Sequence, residues 1–252
     1  MLRVLLLASL ISFPAFAADP IVVDSGSKKT AVVELYTSEG CSSCPPADRW
    51  LSRLIEVPSD ELDVLALSFH VDYWNYLGWE DRFSSAPYTK RQRLLGANNR
   101  QRTIYTPEFF VNGKEARGAN SILQKIQQAN EMPSALDLKL TVSRDSNGLI
   151  LELQSSGGED LDTVHHRYLV YENDLSTDVK RGENSGETLK HEQVVRYMSE
   201  AQKLHQQNLY RIDIDPDWKP QNIGVAVVVT TPGDKRYLQA LHTPVAALLT
   251  PQ

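Results

Sequence analysis

Cysteine is nearly absent from this chain: 252 residues carry two, Cys41 and Cys44, against 13 prolines and 13 glycines. So few cannot make a multiply stapled scaffold, and with no second C-x-x-C pair they cannot make a closed four-thiolate zinc centre. Long basic runs are missing as well. Lysine and arginine are scattered and the formal charge is -6, which leaves no basic field to attract nucleic acid or an anionic membrane surface. There is no internal repeat and no low-complexity tract. Beyond the first 17 residues no apolar stretch approaches the roughly 20 residues that cross a bilayer.

What is present begins with "MLRVLLLASLISFPAFAADP". One arginine precedes an apolar run from Val4 to Phe16, and Ala15-Phe16-Ala17 has the small-x-small form of a signal-peptidase site. The run is short for a membrane anchor. Residues 1–17 are therefore expected to be a signal peptide, leaving an exported chain that starts near Ala18, has no stable membrane anchor and can keep a disulfide.

Two patterns follow in succession. "AVVELYT" (Ala31 to Thr37) and "VLALSFH" (Val64 to His70) read as parallel strands covered on both faces. Between them Ala47, Trp50, Leu51, Leu54 and Ile55 share one helical face. An aromatic loop, "DYWNYLGWEDRF", leads to a helix around Tyr88 to Asn98. "EFFVNGKEARG" reads as a hairpin turning at Asn112-Gly113, and a final helix capped by Asn120 carries Ile122, Leu123, Ile126 and Ala129. Met132-Pro133-Ser134 ends this α/β unit, expected over residues 28–132. From there the period changes to two: "LDLKLTV", "LILELQ", "HHRYLVYE", "NLYRIDI", "GVAVVVTT" and "RYLQALH" predict an all-β antiparallel sandwich over residues 135–248, with Lys139, Glu152 and Gln154 facing water and one short helix near Ser199 to Leu204.

Three roles compete for the cysteine pair. As a staple it is weak, since closing a loop of about four residues contributes about 2 kcal/mol against about 3 for 15 residues. As a metal site it needs further ligands; Cys41, Cys44 and His70 would make a soft three-ligand set suited to Cu(I). As a redox centre it explains its surroundings. A C-x-x-C that ends a strand-to-helix turn exposes Cys41 to the N–H groups and dipole of a helix N-terminus, which favour the thiolate, while Cys44 one turn in can resolve a mixed disulfide. Pro45 and Pro46 fit the first turn, where N–H groups have no intrahelical acceptor.

Strand, C-x-x-C, helix, strand, then X-Pro before a hairpin and a last helix resembles the thioredoxin fold. The strings "VELYTSEGCSSCPPAD", "HVDYWNYLGW" and "YTPEFFVNG" are similar to a family of secreted bacterial thioredoxin-like proteins catalogued as a domain of unknown function. The resemblance covers roughly Thr30 to Asn130, and "RGENSGETLKH" also matches that family's C-terminal part. It implies a thioredoxin-like α/β domain, location in the periplasm of a Gram-negative bacterium, and a cis proline, Pro107, lying against the C-x-x-C with Thr106 presenting its backbone to substrate. It further implies a buried acid, matched by Glu34, that exchanges a proton with the resolving thiol. The dipeptide Ser42-Ser43 differs from those of known reductases and oxidants, and Gly40 stands where that fold usually has tryptophan.

The expected site is therefore Cys41 as nucleophile, Cys44 as resolving thiol and Glu34 as proton carrier, with no cofactor; the competing role for Glu34 is a carboxylate that merely reaches solvent or a basic partner. Thr106, Pro107, Trp74 and Tyr73 would bind substrate, with Tyr76 and Trp79 extending the wall; the alternative for the four aromatics is packing of a long loop onto its own domain. His70 and Asp72, at the end of the second strand, either tune Cys41 or fix the aromatic loop by hydrogen bonds. Arg181, Glu183 and Asn184 read as turn and capping residues, with a partner surface as the alternative. The expected partners are protein or peptide thiols and disulfides and a redox partner protein. The competing role is copper handling or partner binding without redox turnover.

Overall fold

A computed structural model describes residues 18–157 and 163–250; the leader expected over residues 1–17 lies outside them. The two apolar runs form the centre of the molecule. β2 (Ala31–Thr37) and β3 (Val64–His70) pair in parallel from Ala31 opposite Val64 to Thr37 opposite His70. Side chains alternate between the two faces of a strand. Val32, Tyr36, Leu65, Leu67 and Phe69 therefore enter one core, and Ala31, Val33, Leu35 and Ala66 enter another.

Helices α1 (Pro45–Leu54) and α3 (Ala119–Glu131) cover the second of these faces with Leu51, Leu54, Ile122, Ile126 and Ala129. α2 (Ala86–Asn98) lies on the first, with Tyr88 and Leu95. β4 (Glu108–Val111) and β5 (Lys114–Ala116) extend the sheet as an antiparallel hairpin. Asn112 and Gly113 both take positive φ, 48° and 72°, as a type I′ turn requires. The cap of α3 is Gly118 rather than Asn120, which is already inside the helix.

The second half joins the same sheet instead of forming a separate one. β1 is Ile21–Asp24 and the later strands are β6 (Leu136–Arg144), β7 (Gly148–Gly157), β8 (His165–Glu172), β9 (Leu175–Asp178), β10 (Thr188–His191), β11 (Val194–Met198), β12 (Gln202–Lys203), β13 (Gln207–Asp213), β14 (Ile223–Thr230) and β15 (Tyr237–Pro244). The large sheet runs β15-β14-β8-β11-β3-β2-β4-β5, with β12 paired to β8, because β11 docks parallel to β3 at Val194 and Ser68. Where a helix was expected near Ser199 to Leu204, the chain is the short strand β12 against His165 and His166. The boundary expected at Met132–Ser134 is thus crossed by hydrogen-bonded strands.

A sandwich is nevertheless present. β1, β6, β7 and β13 make a four-stranded sheet whose Leu138, Leu140, Leu151 and Leu153 pack on Tyr168, Val170, Val225 and Val227 of the large sheet. Lys139, Glu152 and Gln154 alternate outward and are exposed. One face of the large sheet is therefore covered half by α1 and α3 and half by the smaller sheet. Its other face carries α2 and a core drawn from both halves, including Tyr36, Phe69, Leu169, Tyr171, Val195 and Tyr237.

Candidate functional site

Cys41 and Cys44 form a disulfide where β2 hands over to α1, with Cα atoms 5.4 Å apart. Cys44 is the N-cap residue, and Pro45 and Pro46 open the helix. These prolines remove two N–H groups from the first turn. Hydrogen bonding at Cys41 then comes from a side chain: Ser43 Oγ lies 3.4 Å from its Sγ. The Thr106 carbonyl oxygen is 3.8 Å from the same sulfur, and the Thr106–Pro107 peptide is cis.

Trp74 holds Thr106 in place by donating its indole N–H to Thr106 Oγ1 at 2.7 Å. It also accounts for Gly40. A Cβ at residue 40 would sit 3.2 Å from Trp74 Cβ, so the loop tryptophan fills the space that a side chain before Cys41 would take. Tyr73 packs beside Trp74 with its hydroxyl buried, which pushes that hydroxyl's pKa up to about 12. Trp79 turns inward to donate to Glu39 Oε2 at 2.8 Å, whereas Tyr76 is 81% exposed.

Glu34 lies away from the cysteines. It shares the strand face of Val32 and Tyr36, opposite the face on which α1 packs, and there Arg91 binds it through Nε at 2.8 Å and Nη2 at 2.9 Å. Tyr36 and Tyr237 donate hydroxyls to the same carboxylate, and Arg91 also reaches Asp234 at 3.2 Å. A carboxylate so placed is a buried counter-ion. The partner expected of it is the resolving thiol; the partners it has are Arg91, Tyr36 and Tyr237, on the face away from α1.

A different set of titratable groups gathers on the face that carries α1. His70 donates or accepts through Nδ1 at 2.7 Å from Asp81 Oδ2, and His191 Nε2 is 3.2 Å from Glu39 Oε1. The two imidazoles meet edge to face, ring centres 4.9 Å apart, with Phe83 beside both. Asp48, four residues after Cys44 and hence on the same side of the helix, faces them from α1. Burial drives the Asp48 carboxyl above its ordinary pKa, partly offset by His191, His70 and the Thr37 hydroxyl. Burial alone would lower His70, but the charge and hydrogen bond of Asp81, aided by Asp48 and Glu39, leave it raised. Asp81 is lowered despite its burial by His70 and by the Glu39 and Phe83 N–H groups. Asp72 is outside this group, bonded to the Thr89 hydroxyl at 2.6 Å. His70 and Asp72 thus both tie down the aromatic loop and the start of α2.

The β9–β10 hairpin brings the other half of the chain onto the disulfide. Its loop carries Glu183, which accepts from Ser42 N at 3.1 Å and Ser42 Oγ at 2.7 Å. Those two donors hold its exposed carboxyl below the usual range. Asn184 Nδ2 donates to the carbonyls of Glu39 at 2.8 Å and Cys41 at 3.1 Å, from 145 and 143 residues away. Under this loop Cys41 is 1% exposed and Cys44 is fully buried. Among the described residues no three His, Cys, Asp or Glu side chains are grouped as a metal-ligand set, so copper binding by Cys41, Cys44 and His70 gains no geometric support.

Sequence reasoning missed Asp48, Glu39 and Asp81, did not connect His191 to them, and gave Glu183 and Asn184 a turn, capping or partner-surface role. Asp48 alone had a legible signal, its four-residue spacing from Cys44 on a helix. The others meet only once the loop and hairpin close.

No curated protein matches the chain. Among solved structures it is similar to protein AGR_C_4864 from Agrobacterium tumefaciens, with 25% identity, TM-score 0.62 and coverage of 86% of this chain and 95% of that one. It also shares a fold with HBP35 of Porphyromonas gingivalis, at 15% identity and TM-score 0.65 over 88% of this chain and 76% of that one. Residues 32–230 match the family described as "Protein of unknown function (DUF1223)", and the chain belongs to that family.

Proposed function

We propose that the protein is an exported, thioredoxin-like thiol-disulfide oxidoreductase acting on protein or peptide thiols. The observation that carries this reading is the Cys41–Cys44 disulfide at the mouth of α1 with the Thr106 carbonyl against Cys41 Sγ. A disulfide between residues three apart closes too small a loop to matter much for stability in a chain of this size, so its worth is chemical. Cys41 attacks a substrate sulfur, an extended substrate segment lies along Thr106 and Pro107, and Cys44 displaces it. Export from a leader over residues 1–17 would bring the pair to an oxidising compartment such as the periplasm, where a redox partner resets it. Copper handling and partner binding without turnover are the competing roles, and no observed contact favours either.

Two measurements on the mature protein decide the matter. Alkylation of the reduced protein should show Cys41 titrating below the ordinary thiol value of about 8.5, and the disulfide should exchange with glutathione. An ordinary Cys41 and a pair that never exchanges would rule the reading out. The reduction potential then fixes the direction of electron flow.

A further inference from the structure

We propose that a recess at the opposite end of β2 from the cysteines binds a small amphipathic anion, an apolar body with a carboxylate or phosphate head. Lys29 precedes the strand and Cys41 follows it, so at about 3.3 Å per residue the seven residues of β2 alone separate the two places by about 20 Å. Nothing about this recess depends on the thiol-disulfide reading. Its volume is about 410 Å³, within the range of small-molecule sites. The walls come from both halves of the chain: the residue Lys29, the β4–β5 turn, the C-terminal half of α3 and the start of β15.

The charge of the lining is one-sided. Lys29, Lys114, Lys125, Lys235 and Arg236 face the recess and no Asp or Glu does, although the chain holds 32 acidic residues against 26 basic ones. Among the described residues none of these four lysines makes an ion pair. Cations brought from separate elements to one space repel one another, and an anion placed between them reverses that repulsion. Lys29 shows the effect directly, because burial and the Arg236 charge both lower its pKa. Lysines act as point charges, so a carboxylate and a phosphate head suit them equally.

The floor of the recess is apolar. Ala129, Met132 and Leu238 line it, and Met132, at 46%, is one of four large apolar side chains left exposed among the described residues. Methionine adapts its shape to what lies against it. An inorganic ion would leave this floor in water, and a neutral apolar molecule would leave the cations without a counter-charge. Only a molecule with both parts satisfies both. The wall at Tyr237 is already fixed: its hydroxyl donates to Glu34 and accepts from Arg91, and a Cβ on Gly113 would come within 2.6 Å of its ring.

Calorimetric titration of the mature chain with decanoate and with decyl phosphate tests the assignment, decanol and acetate serving as the separate halves. At least one of the two anions should bind at a single site per chain, and decanol and acetate should each bind about tenfold more weakly or worse. Lys29→Gln combined with Lys235→Gln should weaken the anion about tenfold and flatten its salt dependence, whereas Lys28→Gln, outside the lining, should leave it unchanged. Exchange of the Cys41–Cys44 disulfide with glutathione should be the same in the double variant as in the natural protein, which keeps this test apart from that of the redox reading. Failure of both anions to bind, equal affinity for decanol, or equal affinity in the double variant would overturn the proposal. Tighter binding of hexaglutamate than of either anion would overturn it too, by making an acidic protein segment the occupant. Labelling with acetic anhydride gives a second readout: the bound anion should protect Lys29 and not Lys28. Equal labelling of Lys29 with and without the anion would remove the site.

Discussion

At the scale of single residues, the Ser42-Ser43 dipeptide divides its work. Ser43 faces Cys41 Sγ and Ser42 faces Glu183. With the prolines removing two N–H groups, Ser43 is the side-chain donor available to a Cys41 thiolate, and hydrogen bonds to charged groups contribute about 1.5–3 kcal/mol. Ser43→Ala should therefore raise the Cys41 pKa by about one unit, half-exposed geometry taking the lower end of that range. Iodoacetamide alkylation rates against pH report it. Glu183 acts in the opposite sense, occupying the Ser42 N–H with a carboxylate near the sulfur. Glu183→Ala should lower the Cys41 pKa and speed alkylation severalfold, and more so at low salt, where the exposed charge is least screened.

At the scale of elements, alternation along β2 and β3 decides which acids can serve the thiols. The strands themselves were legible, since both are seven-residue runs rich in apolar and β-branched residues and too short for a helix pattern. The face on which each residue lies was equally determined by the sequence, but its meaning was not, because it depends on which helices cover which face. Glu34 sits in the right strand on the wrong side, and only the Arg91 guanidinium from α2 reveals it. The cysteine motif, the hairpin turn at Asn112-Gly113 and the Thr106–Pro107 junction are local features and could be read in advance. Glu39, Asp81 and His191 could not, because they are joined by a long loop and a hairpin whose closure has no periodic signal.

The same elements set a pH dependence. The folded pKa of His70 is raised, so the stability it contributes is complete below the unfolded value of about 6.5 and is lost as pH climbs through the folded value. His166, by contrast, is lowered to about 4 by burial and costs stability as pH falls from about 6.5 towards that value. Urea unfolding midpoints should therefore decline above pH 6.5 in the natural protein, and the His70→Asn protein should lack that part of the decline. Subtracting the two curves removes the His166 contribution. Equal slopes above pH 6.5 would show that His70 is not held as an imidazolium.

At the scale of the whole molecule, the change from helical to alternating pattern near Met132 was plain, and the separation it suggested does not occur. β11 pairs with β3, and Leu169, Tyr171, Val195, Ala226, Val228, Tyr237 and Ala240 share one core with Tyr36 and Phe69. A chain truncated after Met132 would expose the edge of β3 and half of that core. It should show no cooperative unfolding transition by circular dichroism and should bind a hydrophobic dye. A cooperative transition in the truncated chain would show that the first half is self-sufficient. Sequence pattern missed this because β9, β10 and β11 are four or five residues each, too short for alternation to stand out.

Synthesis runs in one direction, and the disulfide belongs to its opening stretch. Glu39 and Cys41 are made early, while Asn184, which bonds to their carbonyls, arrives 143 to 145 residues later. A growing chain therefore carries an uncovered pair of thiols for most of its own production, open to any oxidant or neighbouring cysteine it meets. Maturation of this protein is a matter of timing, and the residues that shelter its sulfurs are among the last to reach them.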